Sequence, residues 1–437
     1  MLVATLATSC VKENALPQNL KSQINSSTTI PVEQAVESLK GFLMRHNQST
    51  KVNEGFSILD VEVVSSQNIT RANGESLPAV DSLLYLVNFG NDSGYAILSA
   101  DERIGAPIIA VTKTGSINAQ AFNINNRDLG NGTTSSDDFS LDLPIGNTNP
   151  TDNMIGGSQI VNDMIVEFVN GRVEGGFQYV GDDNDNPPES ETTQASYLIP
   201  PILTTIWGQL EPYNLKCPED NGEHNPAGCV AIAIGQVVAH FEAERIDKNK
   251  SYDWSIIKSV GKVEDWNTIN DPNKKYTDLY DSNQIDEIST FIRDIGDMCC
   301  MDYDDGGSTS LPWKIDNCLQ DFGFENSDLY WFYDSESIIE SLWDKNPVII
   351  SGARTDCEAG HTWVIDGYDY TIDDVDGNHT LLHCNWGWDG RCNGFYYSKI
   401  FNLNAGAEIV DSNYGDYKDT MDKYYGWMFS RVIIDRQ

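Results

Sequence analysis

Basic residues are scarce in this 437-residue chain: 28 lysines and arginines face 66 aspartates and glutamates, a formal net charge of −38. A field of that sign repels polyphosphate and anionic lipid, so nucleic acid and acidic membrane surfaces are excluded as partners. No window holds the roughly 18 uninterrupted apolar residues that a membrane-spanning helix needs. Cysteine is missing from 11–216, although eight of the nine cysteines follow that stretch (217, 229, 299, 300, 318, 357, 384 and 392). Calcium-loop spacing is also missing: DDNDNPPES and DDVDGN are acidic but lack the ligand positions and closing glutamate of an EF-hand. His379, His383, Cys384 and Cys392 match no common zinc-finger spacing. No metal or other cofactor is therefore expected.

A hydrophobic content of 40% and aromatics at 10% are those of a chain with real cores. Its length suits two domains of roughly 200 residues better than one. The opening MLVATLATSC is a short run of small apolar residues ending at Cys10. It resembles the tail of a bacterial lipoprotein signal, with residues 1–10 as its remnant and Cys10 as the site of a lipid anchor. Ala7 stands where leucine is usual, and no basic residue precedes the apolar part. Export makes disulfides the default expectation for the eight later cysteines.

In PVEQAVESLKGFLMRHN, Val32, Ala35, Leu39, Phe42 and Leu43 fall on one helical stripe behind Pro31. Strand-like segments follow in FSILDVEVVSS, SLLYLVNFG, GYAILSAD and PIIAVTKTG, punctuated by Gly, Asn and Asp. Residues 113–160 read mostly as loop, and MIVEFVNGRV as a second helix. The segment GDDNDNPPESETTQ (181–194) has five carboxylates, two prolines and no large apolar residue. It is a linker, and its exposed, extended character suits a processing segment.

After it the pattern changes. GCVAIAIGQVVAHF is small and apolar throughout, as in a buried helix, and IDEISTFIRDIGDMC places Ile285, Ile288, Ile292, Ile295 and Cys299 on one face. Strands follow in NPVIISGAR, HTWVIDGYDY, TLLHCNWGW and GFYYSKI, with DDVDGN as a hairpin turn. Helices followed by a run of strands predict an α+β domain.

Cys229 stands behind Gly228 at the start of the apolar helix, where free N–H groups and the helix dipole favour a thiolate. A lone cysteine on such a helix is more often simply packed. Two later residues shift the balance. His361 enters a strand behind Gly360, where its ring can face a helix packed on the sheet and take the thiol proton. Asn385, at the end of the next strand, can accept the second imidazole N–H and fix the tautomer. The order Cys, His, Asn is the papain-like arrangement. Gln209, in IWGQLEPYN, adds an amide that with the Cys229 N–H could hold an oxyanion. Trp386 and Trp388 would screen the histidine from water, and Trp388 could wall the leaving-group side.

WGQLEPYN followed by CP, GCVAIAIGQ, YDW, MDYDDGGSTS, GHTWVIDGYD and NWGWDGRCNGFYY resemble the streptopain family of papain-fold cysteine proteases. NFGNDSGYAILSADERIGAPIIAVTKTG resembles that family's propeptide. The resemblance implies a secreted endopeptidase made as a zymogen and acting on protein or peptide substrates. It implies Cys229 as nucleophile, His361 as base, Gln209 as oxyanion donor, and Asn385 with Trp386 as the group orienting His361. Gly360 and the loop around Ser308 would line the cleft. Residues 11–180 would be an inhibitory α+β propeptide with an antiparallel sheet, 181–196 the processing segment and 197–437 the catalytic domain. Asp389 departs from the family's usual glycine, and Cys357, Cys384 and Cys392 flank the site, where they could form bracing disulfides or make activity sensitive to redox state. A non-enzymatic binder or an acyltransferase of the same fold are the alternatives. The binder would lack a reactive thiol.

Overall fold

The apolar stripe at 32–43 folds as helix α1 (Val32–Thr50), with Val32, Ala35, Leu39 and Phe42 buried and Leu43 partly so. The computed structural model describes residues 28–50, 57–67, 80–90, 94–122, 161, 162, 164–166, 168, 169, 172, 173, 196–247, 249–304, 307–331, 333–354, 360–373, 377–401 and 427–434. The expectations for Cys10, Cys357 and residues 181–194 lie outside them.

After α1 come four antiparallel strands: β1 (Ile58–Val64), β2 (Leu84–Phe89), β3 (Tyr95–Ser99) and β4 (Ile108–Thr112). β2, β3 and β4 are buried along their whole length instead of at alternate residues, so both faces of this meander are covered. α1 lies against β3 and β4. The described residues of 161–173 are helical, and Met164, Ile165, Phe168 and Val169 enter the same core.

The later half begins with β5 (Ser196–Ile199) and a two-residue pair, β6 (Glu219–Asp220) with β7 (Glu223–His224). Helix α2 (Cys229–Phe241) buries Val230 through Ala239 without interruption. It packs on α3 (Ser282–Met298), whose face of Ile288, Ile292 and Ile295 is fully buried. Gly235 permits the approach, since a Cβ there would lie 2.8 Å from Ile292 Cδ1. Helix α4 (Pro312–Asp321), strand β8 (Asp328–Trp331) and helix α5 (Ser335–Trp343) follow. The strands β9 (Val348–Arg354), β10 (Gly360–Asp373), β11 (Gly377–Asn385), β12 (Gly394–Tyr397) and β13 (Trp427–Ile433) complete the sheet. DDVDGN does join a hairpin, since Asp373 pairs with Gly377.

One sheet runs through both halves in the order β1-β2-β3-β4-β12-β11-β10-β9-β13-β8, with β5 pairing β10. The seam is β4 against β12, where Val111 sits opposite Phe395. Side chains reinforce it. His46 Nε2 lies 2.6 Å from Asp369 Oδ2 on β10, and Arg45 donates to Thr371 Oγ1 at 2.7 Å. Thr114 Oγ1 donates to the Gly390 carbonyl at 3.3 Å. The two halves share one core cluster.

The disulfides expected for the cysteine-rich half are not present among the described residues. Cys217, Cys229, Cys299, Cys300, Cys318, Cys384 and Cys392 are free thiols. Cys299 and Cys318 fill the helical core and Cys384 a buried strand, so they serve as small apolar side chains. The proposed bracing by Cys384 and Cys392 is corrected accordingly.

Candidate active site

Cys229 begins α2, and the chain arrives there through Gly228 at φ +87°. Only glycine fits that corner, because a Cβ would meet Met301 Sδ at 2.8 Å and the Ser308 carbonyl at 3.0 Å. Ser308 itself is buried, its hydroxyl bound to the Pro226 carbonyl at 2.5 Å, so its side chain braces the approach to Cys229. Ala227 N–H donates to the Gln209 carbonyl at 2.8 Å, which draws the glutamine segment alongside. Thr362, through its backbone and hydroxyl, and the backbone N–H groups at the start of α2 act on the thiol in the direction of a thiolate. Burial outweighs them and raises the Cys229 thiol above its ordinary value. In this arrangement the sulfur is protonated.

His361 is the second residue of β10 and pairs with Gly352 of β9. Its Nε2 lies 2.7 Å from the Trp386 carbonyl oxygen. A carbonyl can only accept, so Nε2 carries the proton and Nδ1 keeps the lone pair. Nδ1 is buried and has no partner among the described residues. Trp388 stacks on the ring at a centroid separation of 4.5 Å, with Trp386 and Trp363 beyond at 6.1 and 6.2 Å. This apolar shell depresses the imidazole to about 4, against the pull of the Trp386 carbonyl.

That depression has a measurable consequence. The unfolded chain protonates this ring near 6.5, whereas the folded chain resists until about 4. Unfolding therefore takes up a proton between those values, and stability falls as pH drops through that window while staying flat above it. His361 alone is expected to remove on the order of 3 kcal/mol between pH 7 and 4. His46 and His240, also lowered by burial, act in the same direction. Urea midpoints at pH 7.5, 5.5 and 4.5 check this, and His361→Gln should flatten the decline.

Asn385 is not the acceptor for His361. Its Oδ1 accepts from Gln236 Nε2 at 3.3 Å, and its Nδ2 donates to Gln236 Oε1 at 3.2 Å and to the Thr205 carbonyl at 2.8 Å. The backbone carbonyl of the next residue, Trp386, takes the imidazole proton instead. Asn385 is thereby tied to α2 and to the segment 205–207, since Gln236 Oε1 also accepts from Trp207 N–H at 3.2 Å. That amide pair fixes the Trp386 carbonyl relative to the segment leading to Gln209.

Gln209 is 2% exposed, and neither amide atom has a partner among the described residues. An amide held dry and unpaired is costly unless something else fills its hydrogen bonds. Gly360 opens β10 and is half-buried. Thr362 and Gln236 were missed by sequence reasoning. Gln236 had a legible signal: it is the one amide on an otherwise apolar helix, two turns below Cys229. Thr362 had none, because its role depends on how α2 lies across β10.

This geometry has relatives. Residues 207–396 match the Peptidase C10 family. Over that stretch the chain is similar to cysteine peptidases of the C10 family. The chain is 26% identical to the thiol protease/hemagglutinin PrtT of Porphyromonas gingivalis over 52% of its own length and 27% of that protein's. It is 26% identical to streptopain of Streptococcus pyogenes over 46% of its length and 54% of streptopain's. The chain thus spans about a quarter and about half of these two relatives. The fold matches a fragment of Prevotella intermedia prointerpain A at TM-score 0.50 and 19% identity, covering 81% of this chain and 96% of that one. That coverage reaches into the first half, so the α+β architecture is shared across both halves.

Proposed function

We propose that the chain is the latent precursor of an exported cysteine endopeptidase, with Cys229 as nucleophile and His361 as base, acting on peptides or proteins. The observation that carries this is the tautomer of His361. The Trp386 carbonyl holds the proton on Nε2 and leaves a buried, unpaired Nδ1 on the residue next to Thr362, which touches the Cys229 thiol. Pairing of the thiol with Nδ1 would form the reactive couple.

In that state the thiolate attacks the peptide carbonyl carbon, and the oxyanion rests on Gln209 Nε2 and the Cys229 N–H. His361 Nδ1–H then protonates the departing amine. The resulting thioester is hydrolysed by a water that gives its proton back to Nδ1. Trp386, through its carbonyl, orients the base. Asn385 positions Trp386, and Trp388 shields the ring. Gly360 and the loop around Ser308 border the cleft. Gln209→Ala should lower kcat by roughly 10²–10³ with little change in KM, because the amide acts on the transition state. A loss confined to KM would remove Gln209 from this role.

The seam between the halves supports latency. The first half grips β10 through His46 and Arg45, β12 through β4, and the loop after Trp388 through Thr114. These are the strand and loop that hold His361 and Trp388, so the first half acts as an intramolecular inhibitor until it is cut away. The resemblance of residues 1–10 to a lipoprotein signal supports export, with Cys10 as the proposed lipid anchor. The direct test is to incubate purified precursor with and without a thiol-reactive inhibitor and sequence the new N-terminus. A cut within 181–200 that the inhibitor blocks is the expected result. A precursor fully active before any cut would end the zymogen reading.

A further inference from the structure

We propose that Asp389 is a specificity-determining residue that selects a basic side chain just beyond the scissile bond. This rests on the peptidase reading above. His361 must hand its proton to the leaving amine, so the substrate residue that departs first lies along the Trp388 side of the ring. Asp389 directly follows Trp388 on that wall. Its N–H donates to the Trp207 carbonyl at 3.4 Å, and its carboxylate covers the α-carbon of Gly208, where a Cβ would collide with it. Gly208 immediately precedes Gln209. The carboxylate therefore bridges the wall of the base and the segment that carries the oxyanion donor, on the leaving-group side.

Its surroundings leave it available. Trp388 and Gln209 are 5% and 2% exposed, whereas Asp389 as a residue is only partly buried, with its carboxylate packed over Gly208. Among the described residues no donor bonds the carboxylate. Arg391 acts on it through its field alone, while its Nε donates to Asn270 Oδ1 at 2.9 Å. Asn270 in turn holds the Asp389 backbone carbonyl at 3.0 Å, fastening the main chain and leaving the side chain free. A half-buried anion without a donor is unfavourable, and a substrate ammonium or guanidinium would supply the missing charge-assisted bond. Burial also raises this carboxyl to about 6. Tyr213 and Tyr280, which feel its charge, stay neutral in that range.

The test compares kcat/KM of the full chain, incubated until activity appears, on peptides that differ only in lysine or norleucine after the scissile bond. At pH 7.5 lysine should be favoured about tenfold, and Asp389→Asn and Asp389→Gly should each bring the ratio near one. The glycine variant guards against misfolding, since position 389 has φ +54° and glycine adopts it with less strain. The wild-type preference should also fade as pH falls below about 6, while both variants stay flat. Equal ratios in wild type and variants, or no preference in wild type, overturn the proposal and leave the peptidase reading standing. A wild-type chain inactive on every peptide overturns the peptidase reading, and this one with it.

Discussion

Cys229→Ala is expected to lower peptide hydrolysis by about 10⁶-fold, to the rate that binding and the oxyanion site sustain alone. Alanine removes the only atom that forms the acyl bond, and no described neighbour can replace it. Thr362, whose hydroxyl favours the thiolate, is engaged with the Ser351 hydroxyl at 2.8 Å. The fold should be untouched, because α2 is secured by Val230 through Ala239 and alanine suits a helix start. Circular dichroism and urea midpoints equal to wild type, with hydrolysis lost, is the expected pair of results. Hydrolysis within tenfold of wild type would show that another residue carries the reaction. The same variant should accumulate as uncut precursor, and maturation of pure Cys229→Ala protein would mean that another protease makes the cut.

Removal of the first half is expected to raise activity on the order of 10⁴-fold, as two separable factors. In the intact chain burial raises the thiol above its ordinary value and keeps it protonated at neutral pH; pairing with His361 would ionise most of it, a factor on the order of a hundred. The buried, neutral imidazole at about 4 also cannot yet serve the leaving amine, and a general acid contributes a further factor of 10² or more. Iodoacetamide reads the first factor alone, because alkylation needs the thiolate and no leaving-group proton. Labelling of Cys229 should therefore accelerate about a hundredfold on processing, and peptide hydrolysis by considerably more. Equal labelling rates before and after the cut would mean that the ion pair already exists in the precursor.

Much of the local structure was legible because the signals are periodic. The stripes of α1 and α3, the unbroken apolar run of α2 and the strands β1 to β4 and β9 to β12 all follow from spacing. β13 went unread although it sits between β9 and β8, since its alternation stands alone at the end of the chain and its partners are remote. The candidate site divides the same way. Cys229 behind Gly228 and His361 behind Gly360 could be located from their positions on a helix and a strand. The acceptor for His361 could not, because a backbone carbonyl leaves no trace in residue type, and Asn385, the plausible side chain one residue away, is claimed by Gln236. The cysteines misled for a related reason: their number suggests disulfides, but pairing requires two sulfurs to meet.

By itself the sequence determined which residues can do chemistry and which elements carry them, because helix stripes, strand runs and a glycine before a cysteine are local properties. Only the tertiary structure decided how those elements lie against one another: β4 continuing the sheet past β12, the thiol resting on Thr362, the imidazole proton held by Trp386. The physical reason is that protonation and hydrogen bonding depend on burial and on partners brought from far along the chain. Those are set by packing, after the local pattern has had its say.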